Sequence, residues 1–425
     1  SDIAELELQL VQKYSLQRGQ HELWTSTLWE AWRFANREAD KVVFGPTDKT
    51  IATLMDAWTI RQETQFMTNV WPIMADWSTL STQQQRDRWP SKTAVEIVQN
   101  SGQRRKIRVN HYKGGVGDIP SQLLLRSGLE GTYLSVFLDR QLPTTSGLTC
   151  DLILKAWSVV SDLANLLDLR LPKFSSWANA RSWALVVRPE ELIETLVLSL
   201  AMEVSLASEV IRFLTWSPGI YRGVWGAPII PIPGERGFCL VKSILETSNV
   251  MRRVEAWLHR GGLDDSLSRN TRGDSYEGEL RFELERRLSE NELIGSFKSA
   301  ADGVRRSRDF PEQIDLLIQF GELLVVGEVK CLLSPAESLE RHRYLRKLME
   351  ACDQACRKAR ALESRRDVVA RSLAIAMERA EGLRIVPIVV LNHGFGVGFP
   401  LAGCPIVDAH FLSIYLSSGK LMSKA

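Results

Sequence analysis

The most legible hydrophobic pattern in the chain lies near residue 320. Gln313 to Phe320 is apolar and β-prone, Gly321-Glu322 is a turn signal, and Leu323 to Lys330 is a second β-prone run. Two such runs across a short Gly-containing turn predict a β-hairpin. Glu328 and Lys330, two apart, fall on one face of the second strand. Around the hairpin, Ser275 to Leu288 reads as a helix, Leu293 to Phe297 as a short strand and Lys298 to Pro311 as a charged loop. Ser334-Pro335-Ala336 opens a helical region to about Leu362, and Asp367 to Ala380 is a further helix. Leu383 to Leu391 is a buried-type strand, Cys404 to Asp408 a last short strand, and Ala409 to Leu416 a closing helix.

The first half patterns differently. Residues 1–100 read as helical, with apolar positions near Leu6–Tyr14, Leu23–Phe34, Lys49–Arg61 and Glu63–Trp77. Arg104 to Tyr112 alternates as a basic strand or arm, and Gly131 to Leu138 reads as β. Asp151 to Leu169, Pro189 to Leu214 and Lys242 to His259 read as helices, with Pro189-Glu190-Glu191 a good helix start. Strands are expected at Val224 to Ile232 and Phe238 to Val241. All 13 tryptophans lie at or before Trp257, which predicts two units with different cores. The Gly/Asp/Ser-rich stretch Gly261–Asn270 is the expected linker. The division is therefore 1–260, mostly helical and Trp-rich with small β elements, and 271–425.

Composition changes this picture little. The chain has 425 residues, enough for two or three domains, with 44% hydrophobic and 24% charged residues and a net charge of +2. The six cysteines show no framework spacing, and Cys352-x-x-x-Cys356 lacks a companion pair for zinc, so a reduced, cytoplasmic protein is expected. The start at Ser1, without Met, suggests a processed chain or a piece of a longer protein. Leu192 to Leu214 carries Glu194, Glu203, Glu209 and Arg212, spacing that suits a soluble helix rather than a membrane span.

A carboxylate and an ammonium ending an otherwise buried strand are costly without partners. The economical reading is a site in which Asp315 and Glu328 hold a hard divalent cation and Lys330 lies beside the attacked group. Asp315, then Glu328-Val329-Lys330, resembles the PD-(D/E)XK nuclease superfamily over roughly Gly273 to the C-terminus. The family's helical Gly-x-x-aromatic-Glu is matched by Gly273-Asp-Ser-Tyr276-Glu277, and its later Gln helix by Asp353-Gln354-Ala-Cys-Arg-Lys358-Ala359. Pro311 and Asp315 are not adjacent, so the "PD" pair is absent as written.

The resemblance implies a restriction-endonuclease-like αβββαβ core, a mixed sheet covered by helices. It implies a Mg²⁺ (or Mn²⁺) ion on Asp315, Glu328, Glu277 and the Val329 carbonyl, with Lys330 orienting or deprotonating a water and Gln354 positioning water or phosphate. Glu277 has a rival role, because Asp274-x-x-Glu277 is a capping-box spacing; Glu279 and Glu283 are fallback candidates. A helical Gln at 354 also fits an ordinary surface.

Residues 341–366 carry nine Arg or Lys against three acids, and Arg341, Arg343, Lys347 and Lys358 among them suit DNA phosphates or a solvated helix face. The expected activity is that of a metal-dependent nuclease acting on nucleic acid, DNA in the first place, as an effector of a restriction or phage-defence system. The N-terminal region would recognise a substrate or bind a protein partner, and double-strand cutting would favour a homodimer. Two rivals are a non-catalytic DNA-binding or scaffold protein retaining the fold and a protein-interaction subunit of a larger complex.

Overall fold

A computed structural model describes residues 2–30, 32–38, 41–98, 105–112, 119–130, 132–171, 184–218, 224–232, 237–263, 271–335, 337–399, 401 and 403–418. By packing, the described residues of 1–10 and 65–267 form one compact unit, and those of 11–64 and 268–425 a second. The sequence placed the division at the 261–270 linker alone; residues 264–270 lie outside the described residues.

The chain opens with α1 (Asp2–Trp29), the antiparallel hairpin β1 (Trp32–Glu38) and β2 (Lys41–Pro46), and α2 (Lys49–Thr79). Helix was expected through Phe34. Instead Trp32, Phe34, Val42 and Phe44 supply β-prone positions on two short strands, and the Phe34 and Phe44 rings meet edge-on at 6.2 Å. Trp58 on α2 explains why this segment belongs with the C-terminal residues. Its indole donates to the Val397 carbonyl at 2.8 Å and its ring lies 4.8 Å from Phe395.

In the first unit, α3 (Thr82–Arg88) starts at a capping box on Ser81 and Gln84 and leads into β3 (Lys92–Val98), which pairs with β4 (Lys106–His111). A strand at Lys92 departs from the expectation of helix to residue 100. Then come α4 (Ser121–Glu130), α5 (Ser135–Leu138), α6 (Cys150–Asp168), β5 (Leu185–Val187), α7 (Pro189–Leu200) and α8 (Val204–Leu214). The β reading of Gly131 to Leu138 gives way, over the described residues 132–138, to a turn and the short helix α5. The single helix expected over Pro189–Leu214 breaks at Ala201, whose φ of 51° is left-handed.

β6 (Ile229–Pro231) and β7 (Phe238–Leu240) form a three-stranded sheet with β5. α9 (Lys242–Thr247) and α10 (Val250–Arg260) replace the one helix expected there, because Asn249 starts a new N-cap. Trp77, Trp157 and Trp257 are core, whereas Trp24, Trp71 and Trp225 are exposed, so the tryptophans are not uniformly the packing residues the sequence suggested. Arg253 is buried with its guanidinium over the Trp157 ring, 4.2 Å from the centroid, and burial lowers its pKa to about 9.

The second unit contains α11 (Thr271–Ser289), β8 (Phe297–Ser299), β9 (Leu316–Phe320), β10 (Leu323–Lys330), α12 (Ser338–Ser364), α13 (Arg366–Leu373), α14 (Met377–Glu381), β11 (Arg384–Leu391), β12 (Ile406–Asp408) and α15 (Ala409–Ser417). The expected hairpin is β9–β10, starting at Leu316 rather than Gln313. The strand expected over Leu293–Phe297 begins at Phe297, and the helix over Asp367–Ala380 breaks at left-handed Ala374. The strands form one mixed sheet in the order β12-β11-β10-β9-β8, antiparallel from β8 to β10 and parallel from β10 to β12.

Helices flank this sheet. Leu317, Leu324 and Val326 pack with Leu362, Val369 and Leu373 in one cluster; Val389, Leu391 and Ile406 pack with Tyr344, Leu348 and Trp58 in another. Each such fully buried side chain contributes roughly 1.5–3 kcal/mol relative to exposure. Among the described residues no helix is long and apolar enough to cross a membrane.

Candidate active site

Strand register brings the two carboxylates together. The β9–β10 ladder ends with Leu316 opposite Gly327. Asp315, one residue beyond, therefore comes opposite Glu328. The turn before it depends on Gly303, whose φ is 66° and whose added Cβ would run into the Ile314 carbonyl. That turn sets the Val304–Ile314 bridge immediately ahead of Asp315. Asp315 Oδ2 then accepts from the Val329 N–H at 3.1 Å. A strand residue's N–H and C=O point to one edge, so the Val329 carbonyl also faces the Asp315 side.

Alternation along β10 turns Glu328 and Lys330 to the face that carries Leu324 and Val326, under α12. On α12, Gln354 and Lys358 are one turn apart and face the same strand. Lys330 Nζ lies 2.5 Å from Glu328 Oε1 and donates to Gln354 Oε1 at 3.1 Å. Lys358 Nζ lies 3.4 Å from each carboxylate oxygen of Asp315 and hydrogen-bonds Glu328 Oε2. Asp315 is 6% exposed, Glu328 3% and Lys358 6%. The Lys330 side chain is 29% exposed, so the site opens to solvent on that side.

α11 supplies the third carboxyl. The helix is already running at Thr271, three residues before Asp274, so Asp274 is not its N-cap and the capping role for Glu277 falls. Tyr276 is buried and its hydroxyl donates to the Leu391 carbonyl at 3.2 Å, which seats α11 on the sheet. Arg281 donates to the Asp315 main-chain carbonyl at 2.7 Å and lies 3.9 Å from Glu277 Oε2. Burial, then the charge of Asp315, pushes the Glu277 carboxyl up to about 7.

Electrostatics separates the two central carboxylates. Burial and the adjacent Glu328 charge raise the Asp315 pKa. Burial acts to raise Glu328 as well, but Lys358 and Lys330 outweigh it and hold that group below its ordinary value. Two buried carboxylates side by side would be prohibitive alone; two ammonium groups offset them.

Among the described residues no three His, Cys, Asp or Glu side chains form a metal ion's ligand set. Asp315 and Glu328 meet instead around an ammonium. Lys358 Nζ is a stand-in cation contacting oxygens of both residues, and hard oxygen donors of this kind suit Mg²⁺ or Mn²⁺. Asp315 and Glu328 are the carboxylates that share this position, and among the described residues no third His, Cys, Asp or Glu side chain joins them closely enough to complete a ligand set. Glu279 is exposed, and Glu283 pairs with Arg286 and Arg287, so neither fallback residue enters the site.

The basic residues distribute unequally. Arg343 and Lys347 are on the exposed face of α12, while Arg341 pairs with Glu30 at 3.0 Å. Lys358 is not on that face at all: it is buried in the site, contrary to its assignment as a phosphate contact. The signal was available, since Lys358 falls in register with Leu348, Ala351, Ala355 and Leu362 on the helix's apolar side. Arg281 was likewise passed over. Of the second basic segment, Arg105 pairs with Glu191 at 2.6 Å and Arg108 with Glu96 at 3.0 Å; Arg104 and Lys113 lie outside the described residues. Comparison of the chain with protein-family models, curated proteins and solved structures found no match.

Proposed function

We propose that the second unit is a metal-dependent nuclease of the PD-(D/E)XK kind, hydrolysing phosphodiester bonds of nucleic acid, DNA in the first place. The observation that carries this reading is the convergence of Asp315 and Glu328 on one ammonium, that of Lys358, at the end of β10, with Lys330 on the other oxygen of Glu328. The element order α11-β8-β9-β10-α12-α13-α14-β11 supports it, because with the helices α12 to α14 counted as one helical connection it follows the αβββαβ order of that superfamily.

Asp315, Glu328, Glu277 and the Val329 carbonyl would hold Mg²⁺ or Mn²⁺. When bound, such an ion supplies an activated water and neutralises charge on the phosphate. Lys330 would orient that water through its ammonium and offset negative charge developing on the phosphate. Gln354 fixes Lys330 from the helix side, and Glu328 Oε1 fixes it from the strand side. Arg343 and Lys347 on α12 would contact the nucleic-acid backbone as point charges. The first unit, Trp-rich and basic in part, would recognise substrate or a protein partner, as in a restriction or phage-defence effector.

Incubation of plasmid with the full chain and Mg²⁺ or Mn²⁺ tests the reading, with Asp315→Ala and Lys330→Ala alongside. Nicking or degradation that both substitutions abolish supports it; equal activity in all three proteins refutes the assigned site. A second reading draws on Lys358, which balances the carboxylates without any divalent ion. Under it the unit is a non-catalytic nucleic-acid-binding or protein-interaction subunit, and nucleic acid is bound but never cut in either metal.

A further inference from the structure

Every oxygen that a divalent ion would take from Asp315 and Glu328 is already engaged, and the engagement is uneven. Glu328 Oε1 is held by Lys330 at 2.5 Å and Asp315 Oδ2 by the Val329 N–H at 3.1 Å. The remaining two, Asp315 Oδ1 and Glu328 Oε2, have Lys358 Nζ as their partner among the described residues. One ammonium therefore covers the two oxygens left for a bridging cation.

We propose that Lys358 is the resident counter-cation of the Asp315–Glu328 pair and gives way when a divalent ion enters. The inference rests on the nuclease reading and deepens it, by naming what controls metal entry. Mg²⁺ sits about 2.0–2.1 Å from its oxygens. An ammonium bridging the same oxygens stands in the same space and repels the incoming charge. The lysine stem has four rotatable bonds, so Nζ can leave without displacement of α12.

The resting arrangement also explains how the pair survives burial. Asp315 and Glu328 have the ammonium groups of Lys330 and Lys358 beside them, which offset their burial without calling on a metal. The cost is weakened metal affinity, since each ion that binds must break the Lys358 contacts first. Lys330 needs no such movement: it holds the other oxygen of Glu328 and stays partly exposed. The two lysines thus divide the work. One stays with the reacting groups, and the other guards the cation position.

The test uses the full chain and Mn²⁺ alone, followed by calorimetric titration. Lys358→Met should bind Mn²⁺ at least about tenfold more tightly than wild type, a gain of about 1.4 kcal/mol. Lys358→Arg should bind no more tightly than wild type, and Asp315→Asn should lose binding in either background. Because Lys358→Met removes a buried counter-charge and could fail to fold, wild type is also treated with an amine-acylating reagent and mapped by mass spectrometry. Lys358 should be protected without metal and acylate several-fold faster with saturating Mn²⁺, while Lys242 stays constant. Equal Mn²⁺ affinity in wild type and Lys358→Met, or unchanged Lys358 reactivity in Mn²⁺-bound wild type, overturns the proposal and leaves the nuclease reading standing. No Asp315-dependent Mn²⁺ binding in either protein overturns both.

Discussion

Gln354 Oε1 accepts a hydrogen bond from Lys330 Nζ at 3.1 Å, joining the helix over the sheet to the last residue of β10. Under the proposed nuclease reading Gln354 is a positioning residue: it holds the ammonium from the helix side while Glu328 Oε1 holds it from the strand side. Lys330→Ala should lower kcat by about 10²-fold or more, the range for a lost electrostatic stabiliser of developing charge. Gln354→Ala should lower kcat much less and leave KM nearly unchanged, and Gln354→Glu should retain part of the activity by still accepting from Lys330. Steady-state cleavage of a short duplex separates these outcomes; a Gln354→Ala effect confined to KM would place the residue on substrate instead.

Glu277 carries a pH signature. Its carboxyl is pushed up to about 7 by burial and by Asp315. A raised carboxyl favours the folded state in its neutral form, so this stabilising contribution is complete below the ordinary carboxylate range and is lost as pH rises through about 7. Metal uptake has the opposite slope, since the proton must leave before the oxygen can act as a ligand. Mn²⁺ affinity should therefore rise from about pH 6 to about pH 8. Glu277→Gln should bind more weakly and flatten that rise. An unchanged pH profile in Glu277→Gln would remove the residue from the ligand set.

Gly303 is a structural determinant of the site from a distance. Its φ of 66° and the closeness of the Ile314 carbonyl leave no room for a Cβ. Gly303→Ala should destabilise the protein by about 1–3 kcal/mol through strain at that turn. It should also lower cleavage more than the folded fraction alone accounts for, because the turn precedes Asp315. Urea denaturation combined with activity per folded molecule checks this; a neutral substitution would show that the turn can relax.

Arg253 offers a test in the first unit. Its guanidinium is buried, with burial lowering its pKa to about 9, and it lies over the Trp157 ring, 4.2 Å from the centroid. A cation–π contact returns about 0.5–2 kcal/mol, less than the several kcal/mol that burying an ion costs. Arg253→Met should accordingly leave stability unchanged or raise it. A loss above about 2 kcal/mol would mean that the charge is balanced by a bound group.

Much of the site could be read before any coordinates. The β9–β10 hairpin, the shared face of Glu328 and Lys330, the helix bearing Glu277 and the helix bearing Gln354 all follow from local spacing, and the structure brings these residues together. What escaped was long-range. Lys358 carries a charge, and counting charges along α12 placed it outside, whereas its helical phase places it under the apolar face. Trp58 was assigned with the other tryptophans, yet it packs on Phe395, more than three hundred residues along. The hairpin at Trp32–Pro46 was misread because its bulky residues also continue a helical spacing, and the strand pairing that decides between the two is not local. Helix breaks at Ala201 and Ala374 left no sequence mark, since neither is glycine.

The central claim is that Asp315 and Glu328 jointly hold a catalytic divalent ion, and single-turnover cleavage of a plasmid in Mn²⁺ tests it most directly. Wild type should convert supercoiled plasmid to nicked or linear product, and Glu328→Gln, close in shape and lacking the charge, should fall by about 10²-fold or more. Cleavage by Glu328→Gln at the wild-type rate, or none by wild type in any divalent metal, would contradict the account.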